Sequence, residues 1–253
     1  MTAARALAAL LLALPLAACG GGSDDGTRTL TVYAAASLTS TFEQLAEEFE
    51  DDHPGVDVRL GFGGSADLVT QIQEGAAVDV FASADTATMD RLVEDGLAGG
   101  EPRAFATNTL EIAVPPGNPA GIADLQDLAG SGVDVVVCAP EVPCGAAARA
   151  VADRAGLALS PVSEEQSVTD VLAKVAAGEA DAGLVYRTDV LAAGDGAGGV
   201  EGIELPEAAT VVNTYPVVAV DGAREPELAD DFVELVVGAT GRRILADAGF
   251  GAP

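Results

Sequence analysis

Two spacings of apolar residues alternate along this chain. Short runs of apolar, often β-branched residues are typical of buried strands, and the segments after them repeat apolar residues every three or four positions, as helices do. In the first part of the chain, strands are predicted at 30–35, 56–62 and 78–82, with helices after Ser37, from Ser65, and around Met89, Leu92 and Val93. This order predicts a largely parallel sheet covered by helices on both faces.

A second unit with the same pattern begins near Asn108. Its predicted strands are 110–114, 133–137, 182–186 and one near 211–220, its helices are 122–128, 145–155, 168–177 and 226–248, and a glycine-rich turn covers 194–199. Two such units predict an α/β protein with two lobes and a cleft between them. Sheets of this class bind ligands at the carboxyl ends of their strands.

Composition and charge exclude several classes of protein. The chain has 253 residues, 49% of them apolar, so it can bury a core and is not expected to be disordered. Its formal net charge of -28 repels a phosphate backbone, so nucleic acid is not an expected partner. One His and three Cys are too few for a zinc module of the common spacings.

The first residues have the features of an export signal. Arg5 precedes an apolar run at 6–18, which is shorter than the roughly 20 residues of a membrane span. We therefore expect a signal peptide at 1–18. The segment ending at Cys19 resembles a bacterial lipoprotein box, which implies lipid attachment to Cys19, a flexible tether at 19–27 and a location on the outer face of the cell membrane. The alternative is an ordinary cleaved signal with a coincidental Cys.

The two remaining cysteines, Cys138 and Cys144, are six positions apart. Export from the cytoplasm favours a disulfide between them, with two reduced thiols as the alternative.

Four predicted helices begin with small or hydroxyl residues directly after a strand or loop, at Ser37, Ser65, Ser167 and Cys144. A helix start carries unpaired N–H groups and about half a positive charge. Several starts aimed at one point form an anion site without Lys or Arg. A single serine at such a position is more often only a cap.

An ordered set of segments carries a family resemblance. The segments are YAAASLTSTF, GFGGSADLVTQIQEGAAVDVFASAD, LEIAVPPGNP, VPCGAAA, DAGLVY and ILADAGF. Through nearly the whole mature chain they resemble the ModA family, the periplasmic molybdate-binding proteins of ABC importers. The resemblance implies a type II periplasmic-binding-protein fold, with two mostly parallel lobes joined by two crossover strands. It places lobe 1 at 28–107 and 213–253 and lobe 2 at 108–212.

The same resemblance implies the ligand and the binding residues. Molybdate, and tungstate with it, would be held by hydroxyls and backbone N–H groups of Ser37, Ser65, Cys144, Val168 and Tyr186. Other members commonly carry Ala where this chain has Cys144, which is tolerable because only the main chain is used there. The family implies a monomer that delivers its ligand to an ABC permease, with no catalytic residue, no cofactor and no direct cation ligand.

The residues alone are also compatible with three other functions. A receptor for sulfate, phosphate or another oxyanion is the nearest in chemistry. A receptor for iron or another cation would use acidic ligands such as Asp85 or Asp181, although iron receptors tend to need adjacent tyrosines. A serine hydrolase would have His53 as its sole candidate base, and no GxSxG motif is present.

Overall fold

The computed structural model describes residues 27–194 and 198–253. The expected signal peptide at 1–18, Cys19 and the tether up to residue 26 lie outside the described residues. So do residues 195–197 of the predicted glycine-rich turn. Among the described residues, no helix is both long enough and apolar enough to cross a membrane.

Strands and helices alternate as the apolar spacing predicts. The strands are β1 (Arg28–Ala35), β2 (Val56–Gly63), β3 (Val80–Ala82), β4 (Arg103–Asn108), β5 (Leu110–Val114), β6 (Val135–Cys138), β7 (Ser163–Glu165), β8 (Ala182–Tyr186), β9 (Glu201–Glu204) and β10 (Asn213–Ala219). The α-helices are α1 (Thr39–Asp52), α2 (Ser65–Gln73), α3 (Thr86–Glu94), α4 (Pro143–Ala155), α5 (Val168–Ala176), α6 (Arg187–Ala193), α7 (Pro226–Val237) and α8 (Ala239–Asp247). Short 3-10 turns cover Ala36–Leu38, Asp127–Ala129 and Pro206–Thr210.

The strands form two five-stranded sheets, in the orders β2-β1-β3-β10-β4 and β7-β6-β8-β5-β9. We call each sheet with its helices a lobe, lobe 1 and lobe 2 in that order. In both sheets the first three strands are parallel, and the remaining two neighbouring pairs are antiparallel. Each sheet is therefore mixed, with four of its five strands running in one direction and β10 or β5 running against them. The reason is that β10 and β5 start at the edge where the parallel strands end, because the chain enters each lobe there.

The core of lobe 1 lies on both faces of its sheet, as predicted. On one face Phe42 and Phe49 of α1 pack against Phe232 of α7, with ring centroids 6.1 Å and 5.3 Å from Phe232. On the other face α2 and α3 bury a smaller cluster that includes Leu68 and Met89.

The predicted helix at 122–128 is wrong: of that stretch only residues 127 and 128 are helical, in a 3-10 turn. Its apolar residues are buried at helical spacing, but polar side chains bond the backbone in place of a helix. The Asn118 amide donates to the Ile122 carbonyl and accepts from the Ile122 N–H, and Asp124 accepts from two N–H groups that follow it. Such local bonds compete with helix formation.

Other expectations needed smaller corrections. The predicted helix at 226–248 is interrupted at Gly238, which separates α7 from α8 with an extended ψ of -174°. Val93 of α3 is 42% exposed, although Met89 and Leu92 are buried as expected. The sequence pattern also missed four short elements, β4, β7, β9 and α6.

Two adjacent chain segments connect the lobes. One passes from β4 through Thr109 into β5, and the other enters β10 from the 3-10 turn at Pro206–Thr210. Asn108 and Asn213 are register partners at the ends of β4 and β10, so the two connections lie side by side. Both asparagines are buried.

A buried carboxyl group lies just beyond β8. Asp189, in the first turn of α6, is 6% exposed, and its Oδ2 accepts from the Tyr186 N–H at 2.9 Å. Burial raises the pKa of Asp189 to about 7, and the hydrogen bond from Tyr186 opposes this only in part. The folded protein therefore holds this proton at pH values where an unfolded aspartate, with a pKa of about 4, has lost it.

Because the folded state binds the extra proton, the free energy of unfolding should fall as the pH rises from about 4 to about 7. Asp189→Asn keeps an oxygen for the Tyr186 N–H and carries no charge, so we expect a flatter pH profile and a variant more stable than the parent at pH 8. Urea unfolding at pH 5 and pH 8 measures both slopes. Asp90→Asn, at an exposed position of α3, is the charge-matched control. An unchanged slope in Asp189→Asn would show that this carboxyl does not titrate on unfolding.

Candidate oxyanion-binding site

A small cavity lies between the lobes, at the carboxyl ends of the parallel strands. The space in it that is open to the centre of a water molecule is about 10 Å³, far too small for an extended organic ligand. The residues that line it are Ala35, Ala36, Ser37, Gly63, Gly64, Ser65, Ala84, Val142, Pro143, Cys144, Val168 and Tyr186. All twelve are uncharged, so this lining, read from the described residues, contains neither a cation nor a carboxylate.

Four helical segments begin at this cavity, and three of them have no side-chain cap at their start. Ala35, Gly64 and Val142 occupy the N-cap positions before the 3-10 turn of Ala36–Leu38, α2 and α4, and none of them bonds the helix start through a side chain. By contrast, Asp85 caps α3 by accepting from the Thr88 N–H. The first N–H groups of a helix have no partner within the helix. The uncapped starts therefore direct free donors and the positive ends of helix dipoles towards the cavity.

The fourth start, that of α5, has a side-chain cap like that of α3. Ser167 accepts from the Asp170 N–H at 3.2 Å. The N–H of Val168, the first residue of α5, has no partner within the helix at this position.

The serine hydroxyls are held by neighbours in lobe 1. Ser65 is 1% exposed, and its Oγ accepts from the Ala84 N–H at 3.0 Å. Because that N–H can only donate, the Ser65 proton remains available to another acceptor. The Ser37 Oγ lies 3.1 Å from the Tyr215 hydroxyl.

The tyrosine hydroxyls stay neutral. Burial raises the pKa of Tyr186 well above its ordinary value, and the nearby Tyr215, Asp85 and Asp189 raise it further. Burial also raises the pKa of Tyr215, and the hydrogen bond with Ser37 opposes this in part. Both phenols therefore keep their protons and act as hydrogen-bond donors at neutral pH.

The lobes touch directly beside the cavity. A Cβ placed on Gly64 of lobe 1 would lie 1.9 Å from the Gln166 carbonyl oxygen and 3.6 Å from Val142 Cγ1, both in lobe 2. Only glycine allows this approach. The structure is therefore in a closed arrangement in which Gly64 packs against the backbone that leads into α5.

A disulfide holds the start of α4. Cys138 and Cys144 are bonded, which confirms the disulfide that the export context favours. Gly145 packs so closely on the end of β6 that an added Cβ would lie 2.0 Å from the Ala139 carbonyl oxygen. The Cys144 N–H is thereby fixed at the cavity wall by the disulfide and by the close packing.

All five residues chosen from the sequence line this one cavity: Ser37, Ser65, Cys144, Val168 and Tyr186. Sequence reasoning gave no role to Asn213 and Tyr215, which bond Tyr186 and Ser37. The alternation of a strand places both on one face of β10, and that spacing is the signal that could have found them.

The described residues give little support to a serine hydrolase or a cation receptor. His53 stacks on Phe49 at the end of α1, and the helix length separates it from Ser37 by about 20 Å. Within 27–194 and 198–253, no group of three or more His, Cys, Asp and Glu side chains could hold a metal ion.

Comparison with known proteins gives consistent matches. The family of bacterial extracellular solute-binding proteins matches residues 30–251. The molybdate-binding protein ModA of Mycobacterium tuberculosis (strain ATCC 25618 / H37Rv) is 48% identical over 98% of this chain and 97% of its own length. ModA of Escherichia coli (strain K12) is 31% identical over 83% of this chain and 84% of its own. The solved structure of the Azotobacter vinelandii periplasmic molybdate-binding protein superposes with a TM-score of 0.75, at 26% identity, covering 88% of this chain and 99% of that one.

These matches confirm the two-lobed α/β fold, and they identify a transport receptor rather than an enzyme. The chain belongs to the ModA family of bacterial extracellular solute-binding proteins.

Proposed function

We propose that this protein captures molybdate, and tungstate with it, between its lobes and delivers the ion to an ABC permease. The observation that carries the proposal is an uncharged cavity lined by uncapped helix starts from both lobes. The relatives named as molybdate-binding proteins align over most of the chain, which supports the same ligand here.

In this proposal the ion is held by donors alone. The hydroxyls of Ser37, Ser65 and Tyr186 and the N–H groups of Cys144 and Val168 donate to its oxygens. Each hydrogen bond to a charged group contributes about 1.5–3 kcal/mol net of the bond to water that it replaces, so five of them together favour the bound ion. A fully deprotonated tetrahedral dianion accepts every such bond, whereas hydrogen phosphate brings a proton that finds no acceptor.

Capture then requires the lobes to close. We divide them at 28–107 with 213–253, and 108–212, with the two connections beside Asn108 and Asn213 as the hinge. Gly64 against Gln166 is the contact that closure forms, and opening at the permease releases the ion.

We further propose that the protein works outside the cytoplasm as a monomer. Membership in an extracellular solute-binding family supports export by a signal peptide at 1–18. Lipid on Cys19 and the tether at 19–27 would keep the lobes beside the permease.

Calorimetry of the purified protein tests the ligand. We expect molybdate and tungstate to bind, sulfate to bind more weakly because it is smaller, and phosphate to bind least because of its proton. Phosphate binding as tight as molybdate binding would contradict a donor-only site.

Ser37→Ala and Ser65→Ala each remove one hydroxyl donor. We expect molybdate affinity to fall about tenfold or more in each, the effect of losing one hydrogen bond to a charged group. Ser160→Ala, at an exposed serine, is the control and should bind like the parent. If both cavity variants also bind like the parent, the site lies elsewhere.

Gly64→Ala tests closure. Its Cβ would overlap the Gln166 carbonyl oxygen, so the lobes could not close fully, and we expect at least a tenfold loss of molybdate affinity. Gly100→Ala is the matched control, because Gly100 does not line the cavity and its Cβ would meet nothing within 4 Å. Thermal unfolding without ligand should be near parental in both variants. Equal affinities in the two variants would rule out the Gly64 contact as part of the bound state.

A further inference from the structure

Asn213 lies at the hinge and bonds both lobes. It is 7% exposed, and its Nδ2 donates to the Ala84 carbonyl oxygen at 3.0 Å and to the Tyr186 hydroxyl at 3.1 Å. Ala84 belongs to the cavity wall of lobe 1, and Tyr186 ends β8 of lobe 2. Asn213 does not itself line the cavity, so its effect on a ligand must pass through these neighbours.

The chemistry of Ala84 fixes the orientation of the Asn213 amide. A backbone carbonyl can only accept, so the Asn213 atom that faces it must be the nitrogen. The second proton of that nitrogen then points at the Tyr186 oxygen, which must accept. With its acceptor side occupied, the Tyr186 hydroxyl turns its own proton towards its remaining neighbours.

Ala84 does the same for the serine through its other backbone group. Its N–H donates to Ser65 Oγ, so Ser65 also accepts on one side and keeps its proton for another partner. The backbone of Ala84 therefore makes two hydroxyls accept on one side and keep their protons for another partner: Ser65 directly, and Tyr186 of the other lobe through Asn213. The other neighbour of the Tyr186 proton is the Tyr215 hydroxyl, a neutral group and hence a weaker acceptor than a dianion.

We propose that Asn213 is a positioning residue that holds the Tyr186 hydroxyl as a donor to the bound oxyanion. This rests on the proposed function, since it assigns the Tyr186 proton to the ligand. It makes the donor-only character of the site a property imposed from the hinge, in the closed arrangement that the structure shows.

Asn108 provides a matched control within the same hinge. It is the register partner of Asn213, is 5% exposed, and also donates across the hinge, to Thr188 Oγ1 at 2.8 Å. It reaches the cavity hydroxyls only through Tyr215, which does not line the cavity. Substitution of Asn108 therefore disturbs the hinge without releasing the Tyr186 hydroxyl.

The test is a double-mutant cycle on molybdate affinity, measured by calorimetry. Asn213→Leu should lower affinity about tenfold in the parent and by less than about twofold in a Tyr186→Phe background, where no hydroxyl is left to orient. Asn108→Leu should cost the same factor in both backgrounds. Asn213→Asp, which keeps the shape but offers acceptor oxygens, is measured in both backgrounds as well. The affinity that Asn213→Asp loses in the Tyr186→Phe background reports the added charge. Any further loss in the parent background reports the orientation of the Tyr186 hydroxyl.

The outcomes separate the two proposals. If the parent binds molybdate and Asn213→Leu costs the same factor with and without the Tyr186 hydroxyl, Asn213 is only structural and this inference is wrong. If the parent fails to bind molybdate, the proposed function fails and the inference fails with it. Should Asn213→Leu unfold, the Asn213→Asp cycle decides on the same criterion.

Discussion

The cavity between the lobes can attract a doubly charged anion only if its walls present donors and no competing acceptor. Most helices in this chain could have satisfied their first N–H groups with Ser, Asp or Asn at the N-cap, as Asp85 does for α3. At three of the four cavity helix starts the N-caps are Ala35, Gly64 and Val142, which cannot do so through a side chain. The first N–H groups at these three starts have no side-chain partner, which is also true of α7 and α8, and what sets the three apart is that they meet at one cavity.

Donors alone are not sufficient, because a hydroxyl can also accept. The backbone of Ala84 decides on which side Ser65 and Tyr186 accept. The Ala84 N–H can only donate, so Ser65 accepts from it. The Ala84 carbonyl can only accept, so it orients the Asn213 amide that donates to Tyr186. Burial keeps the pKa of Tyr186 high, so its proton stays on. Backbone geometry thus determines side-chain chemistry in the arrangement of the lobes that the structure shows.

The features that could be predicted from the sequence are those that depend on residues close together in the chain. Apolar spacing located β8 to the residue and the helix starts that line the cavity, because both depend on neighbours within a few positions. It failed at 122–128, where Ile122 and Leu125 are buried at helical spacing but Asn118 and Asp124 supply the backbone bonds. It also missed Asn213, since the hydrogen-bond partner that orients its amide, Ala84, lies 129 positions away.

The overall charge of -28 and the capture of an anion are compatible because they act over different distances. Exposed carboxylates farther than about 8 Å from the site are largely screened at physiological salt. The helix starts touch the cavity itself, where water is excluded and dipoles act with little screening. Asp189 is one acidic group beside the site, since its carboxyl group accepts from the Tyr186 N–H. Its raised pKa of about 7 leaves it about half neutral near pH 7 and more so at lower pH, which limits the negative charge beside the site. The affinity for an anion is thus governed by a few neutral groups in contact with it rather than by the acidic surface.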